Sequence, residues 1–210
     1  MGTSTVISSR DRILSSGKTL FAKHGYENTS TVAIARDAST SESQLMKHFG
    51  SKLGLLSAIC EQGWANILQR AHALANGSMA SPKALVDVLE SLMVELERDP
   101  EMKAVVMLES RRVGKNSSDT SPAQGGVQFG AFLEELLTDL RNQGALPAGI
   151  SVKAARAALF GMMEGMILDE VVSTRHGGTA SYASEDVRSV LEMVVSGLMA
   201  EPVASDHAIG

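Results

Sequence analysis

Apolar residues recur along the chain at spacings of three and four, which is the period of an amphipathic α-helix. Strand-like alternation of apolar and polar residues is scarce. The clearest stripe lies near the C-terminus and comprises Val187, Val190, Leu191, Val194, Val195 and Leu198. The pattern predicts an all-α protein of about nine helices, with a three-helix N-terminal domain followed by a C-terminal helical bundle.

Capping residues, prolines and glycines mark the predicted ends of these helices. Five serines stand where helices are expected to begin: Ser30, Ser41, Ser51, Ser151 and Ser184. Three further starts combine a capping residue with proline at the first helical position: Ser81-Pro82, Asp99-Pro100 and Ser121-Pro122. Three glycines are expected to end helices: Gly25, Gly114 and Gly144.

Residues 30–52 have the spacing of a helix-turn-helix. Two short helices are separated by Ala38-Ser39-Thr40, and the second, which begins after Ser41, is too short to be stable alone. In a helix-turn-helix the second helix lies in the major groove of DNA and presents side chains to base edges. On spacing alone, a helical hairpin inside a larger bundle is an equal alternative.

The second of these helices would turn Leu45 and Phe49 inward and expose polar side chains. Glutamine can pair with adenine and lysine can donate to guanine, whereas helix N-termini and further lysines suit phosphate. The candidate DNA-binding residues are Thr31, Ser41, Glu42, Ser43, Gln44, Lys47, His48 and Lys52.

The same stretch resembles the N-terminal domain of the tetracycline-repressor (TetR) family of transcriptional regulators. The matching residues keep the family's order without a gap: Arg12-Ile13-Leu14, Leu20-Phe21, Gly25-Tyr26, Thr29-Ser30, Ile34-Ala35, Ala38, Ser41, Leu45, His48-Phe49 and Ser51-Lys52. The resemblance implies a dimeric regulator, most simply a repressor, that binds a palindromic DNA operator. It also implies a C-terminal domain that binds a small-molecule effector, which releases the DNA.

Three positions depart from the family's pattern. Ser39 replaces a glycine that often takes a left-handed conformation, which costs serine about 1 kcal/mol. Thr40 replaces a buried valine, so its hydroxyl needs a partner or partial exposure. Met46 replaces a tyrosine that commonly contacts phosphate, and methionine cannot donate that bond. The alternative function is therefore a helical small-molecule-binding protein with a weakened DNA-binding domain.

The charge distribution favours a polyanionic partner for the N-terminal part. Residues 1–57 hold seven Lys and Arg against four Asp and Glu, which gives +3. The net charge of the whole chain is −5, so the remainder carries −8. A basic segment on an acidic chain is typical of a protein that binds a polyanion, although chance clustering is the alternative.

The remainder of the chain is expected to dimerise. We place the DNA-binding domain at residues 1–50, the dimerisation and ligand-binding domain at residues 51–201, and a flexible tail at residues 202–210. The eighth predicted helix carries Ala157, Gly161 and Gly165 four residues apart, which permits close helix approach, and the ninth carries the apolar stripe. A homodimer through these two helices is predicted; packing against the chain's own helices is the alternative.

The effector site is expected to be apolar with few polar groups, since methionine-rich walls adapt to varied apolar ligands. Ordinary core packing is the alternative for the methionines. Glu164 is the preferred polar anchor, because a buried carboxylate needs a partner. The candidate ligand-binding residues are Met107, Arg111, Phe132, Phe160, Met163 and Glu164.

Several classes of protein find no support in the sequence. Apolar runs fall short of the roughly 20 residues of a membrane span, and the N-terminus lacks an apolar signal core, which favours a cytoplasmic protein. The single cysteine, Cys60, precludes an intramolecular disulfide. No histidine spacing, phosphate-binding loop or nucleophile motif suggests catalysis. We expect no enzyme activity, no metal and no cofactor.

Overall fold

The computed structural model describes residues 8–75, 80–110, 124–175 and 182–199. All regular structure within these ranges is α-helical, as predicted. The helices are α1 (Ser9–His24), α2 (Thr31–Asp37), α3 (Glu42–Phe49), α4 (Lys52–Ala75), α5 (Pro82–Arg98), α6 (Pro100–Ser110), α7 (Gln124–Asn142), α8 (Val152–Arg175) and α9 (Ser184–Met199).

Six of the predicted helix starts are confirmed by their capping hydrogen bonds. In each case a side-chain oxygen accepts from the backbone N–H three residues later, at 2.9–3.3 Å, and thereby satisfies a donor of the first turn. These capping residues are Ser30, Ser41, Ser51, Ser81, Asp99 and Ser151. Gly25 and Gly144 follow helix ends with positive φ, whereas Gly114 and Ser121-Pro122 lie outside the described residues.

The chain divides into two compact units. The first comprises Met1–Leu68 and Glu95–Gln128, and the second comprises Gln69–Val94 and Phe129–Gly210. The domain boundary predicted at residue 50 therefore falls inside the first unit, because α4 continues from the helix-turn-helix and α6 belongs to the same unit.

The first unit buries one face of α1 against its neighbours. Ile13 and Phe21 on α1 are fully buried, as is Leu55 on α4. A Cβ at Gly17 would lie 2.9 Å from Leu55 Cδ2, so α1 and α4 approach closely. Lys18 Nζ lies 2.7 Å from Asp99 Oδ2 and so joins α1 to the start of α6.

The second unit has an apolar interior formed by α5, α7, α8 and α9. Its fully buried residues include Leu89, Leu133, Leu159 and Leu191, one from each of these helices. Arg188 on α9 donates to Asp87 and Glu90 on α5, and these ion pairs fix α9 beside α5. No helix among the described residues is long and apolar enough to cross a bilayer.

Candidate nucleic-acid interface

Helix α3 has one buried face and one polar face. Leu45 is fully buried, as the sequence predicted, whereas Phe49 is only half-buried. The remaining candidate residues from the cap to the last turn of α3 are exposed: Ser41, Glu42, Ser43, Gln44, Lys47 and His48. The helix therefore presents a surface of donors and acceptors that suits the edges of base pairs.

The turn before α3 keeps its geometry despite the serine at its centre. Ser39 has φ 50° and is the non-glycine residue with positive φ among the described residues. The Thr40 N–H donates to the Ala35 carbonyl at 2.9 Å, and the Thr40 side chain is half-buried. Arg12 Nε donates to the Ala38 carbonyl at 3.0 Å. The left-handed turn and the partial exposure of Thr40 are thus confirmed.

Side-chain contacts at both ends of α3 hold it in place. The Thr31 hydroxyl donates to Glu42 Oε1 and thereby links the start of α2 to the start of α3. Ser9 Oγ and His48 Nε2 lie 3.1 Å apart, which links α1 to the last turn of α3. Three of the predicted DNA-binding residues, Thr31, Glu42 and His48, therefore also have partners within the protein.

Lys52 occupies the first turn of α4 and faces the connection between α1 and α2. Its Nζ donates to the Tyr26 carbonyl at 2.8 Å and the Thr29 carbonyl at 3.0 Å. The same atom lies 4.1 Å from the centroid of the Tyr26 ring, within the range of a cation–π contact. Two of its three N–H groups are thus engaged internally.

Several residues that shape this interface were not assigned a role from the sequence. Arg12 holds the turn, Tyr26 and Thr29 receive Lys52, and Ser9 contacts His48. Arg12, Tyr26 and Thr29 belong to the stretch that resembles the TetR family, so the order of those matches was the available signal. Their partners are distant in sequence and follow only from the fold.

The candidate ligand-binding residues are divided between the two units. Met107 is buried in the first unit, whereas Phe132, Phe160, Met163 and Glu164 belong to the second. Arg111 lies outside the described residues.

Two ring pairs lie inside the second unit. Phe132 and His72 have ring centroids 4.3 Å apart, and Phe129 and Phe160 have centroids 6.3 Å apart. Met163 is fully buried. The sequence suggested the phenylalanines, but it gave no reason to include His72, whose contact arises from the packing of α4 on α7.

Glu164 is half-buried on α8, and this burial raises the pKa of its carboxyl group. Because the pKa of Glu164 is higher in the folded state than its ordinary value of 4.5, ionisation of this carboxyl group lowers the free energy of unfolding as pH rises.

Glu164→Gln is therefore expected to be more stable than the parent chain at pH 7, and the difference is expected to vanish near pH 4. Urea unfolding of both proteins at both pH values checks this. A stability difference between variant and parent that is the same at pH 7 and pH 4 would contradict it.

A cleft of about 440 Å³ lies within the first unit, between α1, α4 and α6. Leu14, Asn66 and Met102 line it together with the Lys18–Asp99 pair. None of the predicted ligand-binding residues lines this cleft. Among the described residues, no group of three or more His, Cys, Asp or Glu side chains is placed to hold a metal ion.

A capped recognition helix, a left-handed turn and an exposed polar face define a helix-turn-helix DNA-binding protein. Residues 13–59 match the family model described as "Bacterial regulatory proteins, tetR family". The chain is 20% identical over 189 residues to the fatty acid metabolism regulator protein of Bacillus subtilis (strain 168), covering 89% of this chain and 94% of that protein. Residues 13–59 therefore form a DNA-binding domain of the tetR family of bacterial regulatory proteins.

Solved structures share the fold over nearly the whole chain. The fatty acid degradation regulator FadR from Bacillus halodurans superposes with a TM-score of 0.75 at 16% identity, covering 95% of this chain and 97% of that one. FadR from Bacillus subtilis in complex with stearoyl-CoA gives a TM-score of 0.75 at 18% identity, covering 90% and 96%. The likeness therefore extends through the C-terminal helices, beyond the matched DNA-binding region.

Proposed function

We propose that the protein is a ligand-responsive repressor that binds a palindromic operator as a homodimer and is released by an apolar small molecule. The main support for base recognition is the exposed polar face of α3. Ser43, Gln44 and Lys47 are exposed, and their side chains have no hydrogen-bond or ion-pair partner within the described residues. These three side chains are therefore available to base edges and phosphates.

Selection of bound sequences from a random duplex pool at near-physiological salt tests this function. A palindrome whose half-sites lie one helical turn apart, about 34–36 Å, or a multiple of that distance apart, is the expected result. Recovery of no motif by a folded dimer would overturn it. That result would instead favour the helical small-molecule-binding protein with a weakened DNA-binding domain, an alternative motivated by the missing hydroxyl at Met46.

The dimer interface is proposed to lie on α8 and α9. Gly161 and Gly165 are exposed on α8, and a Cβ added at either would meet nothing within 4 Å. Gly197 on α9 has the same open surroundings, and Met193 on α9 is 68% exposed. These positions do not pack against described parts of their own chain, which supports their use against a second copy.

Met193→Glu is expected to weaken dimerisation by more than about 100-fold, because a two-fold interface would bury an unpaired carboxylate from each copy. Val127→Glu is the matched control, since Val127 is also an exposed apolar residue but lies on α7. Molar mass measured by light scattering across a dilution series distinguishes the two variants. Equal dimerisation of both variants would exclude this face of α9 from the interface.

The effector is proposed to be a long-chain acyl thioester. Support comes from the apolar second unit with its paired phenylalanines, and from the likeness to a regulator solved with stearoyl-CoA, which covers 90% of this chain. Stearoyl-CoA is expected to lower operator affinity by about 5–150-fold, the usual size of such coupling, while coenzyme A alone leaves it unchanged. Operator binding that is insensitive to stearoyl-CoA would refute this effector class.

Trp64 offers a second readout of the same titration, since it is the single tryptophan of the chain. It lies on α4, where a Cβ added at Gly125 of α7 would come within 2.1 Å of the Trp64 Cβ. Any shift of α4 against the start of α7 changes the surroundings of this indole. A fluorescence change with stearoyl-CoA, absent with coenzyme A, is expected at the concentrations that release the operator.

A further inference from the structure

Two large apolar side chains are exposed on the helix-turn-helix. Val32 on α2 is 49% exposed and Met46 on α3 is 43% exposed. Within residues 8–68 they are the exposed large hydrophobic residues. A single exposed apolar residue needs no explanation, but these two belong to the pair of helices through which a helix-turn-helix meets DNA.

The hydrogen bond between Thr31 and Glu42 joins the start of α2 to the start of α3. Val32 directly follows Thr31 at the start of α2. Met46 lies four residues after Glu42 and therefore shares its face of α3. Lys47 and Ser43 share the neighbouring outward face. Met46 thus lies at the edge of the surface that presents the base-reading residues.

The base edges of the major groove offer one apolar group, the C5-methyl of thymine. The methionine side chain is long, flexible and polarisable, which suits contact with a methyl group. Building on the proposed DNA binding, we propose that Met46 reads a thymine in each operator half-site through its C5-methyl group.

In this role Met46, which replaces the family's tyrosine, contributes directly to base recognition. The resemblance implies that a tyrosine hydroxyl at this position commonly contacts phosphate, which fixes register but carries no sequence information. Met46 exchanges that contact for one that depends on the base. The basic character of residues 1–57, at +3, together with Lys47 and the remaining N–H of Lys52, supplies phosphate attraction without the tyrosine.

Replacing operator thymines one at a time by deoxyuridine tests the proposal, because this removes the methyl group and nothing else. The operator is the one recovered from the random pool. Loss of one buried methyl is expected to weaken binding about fourfold at one position of each half-site. Met46→Ala is expected to bind the thymine and uracil operators equally. Lys47→Ala is the control and should keep the fourfold difference.

Three results would overturn the inference. If deoxyuridine leaves the operator affinity unchanged at every position, no thymine methyl group is read. A thymine preference retained by Met46→Ala would assign the contact to another residue. Failure to recover an operator would remove the proposed function together with this inference, whereas the first two results leave operator binding intact. Met46 is exposed, so urea unfolding of Met46→Ala should match the parent chain.

Discussion

Gly54→Ala is expected to destabilise the first unit by about 3 kcal/mol or more. Gly54 lies in the first turn of α4, directly after the end of α3. A Cβ at this position would lie 2.1 Å from the Phe49 carbonyl oxygen. That oxygen belongs to the backbone, so it cannot turn aside as a side chain could. The substitution must therefore move the end of α3 away from α4.

Urea unfolding followed by circular dichroism measures this effect. Gly149→Ala is the control, since a Cβ at Gly149 would meet nothing within 4 Å and its effect should stay within about 0.5 kcal/mol. At low temperature, where the Gly54→Ala variant remains folded, its operator affinity should still fall because α3 is displaced. Parent-like stability of Gly54→Ala would show that the junction accommodates a side chain and would contradict the expectation.

The features that the sequence predicted well depend on local chemistry. Helix starts such as Ser30 and Ser41 were found because a hydroxyl caps a helix within three residues of itself. The inward direction of Leu45 follows from the helical period alone. The left-handed Ser39 was expected from the resemblance to the TetR family, whose turn often has a left-handed glycine at this position.

The features that the sequence did not predict depend on contacts between distant residues. Lys52 meets carbonyl groups more than twenty residues earlier in the chain, and nothing in its neighbours signals this. His72 meets Phe132 only because α4 and α7 pack together. The division of the candidate ligand-binding residues between two units has the same origin, since apolar composition predicts burial but not which surfaces meet.

Lys52→Ala is expected to destabilise the protein by about 2–3 kcal/mol, because two charge-assisted hydrogen bonds to backbone carbonyls are lost. The carbonyls of Tyr26 and Thr29 would then have to find other donors. Lys47→Ala is the matched control. Lys47 is exposed and has no side-chain partner within the described residues, so its removal should change stability by less than about 0.5 kcal/mol.

The salt dependence of operator binding separates the two roles of Lys52. If its third N–H contacts a phosphate, Lys52→Ala at a temperature where the variant is folded should weaken binding to all sequences uniformly and lower the salt slope by about one unit. If Lys52→Ala lowers the free energy of unfolding but leaves the salt slope of operator binding unchanged, Lys52 is a positioning residue that holds the connection between α1 and α2. An unchanged stability would mean that the two carbonyl contacts contribute nothing to folding. The expected result is a change in both quantities, because the ammonium group has three donors and the protein engages two of them.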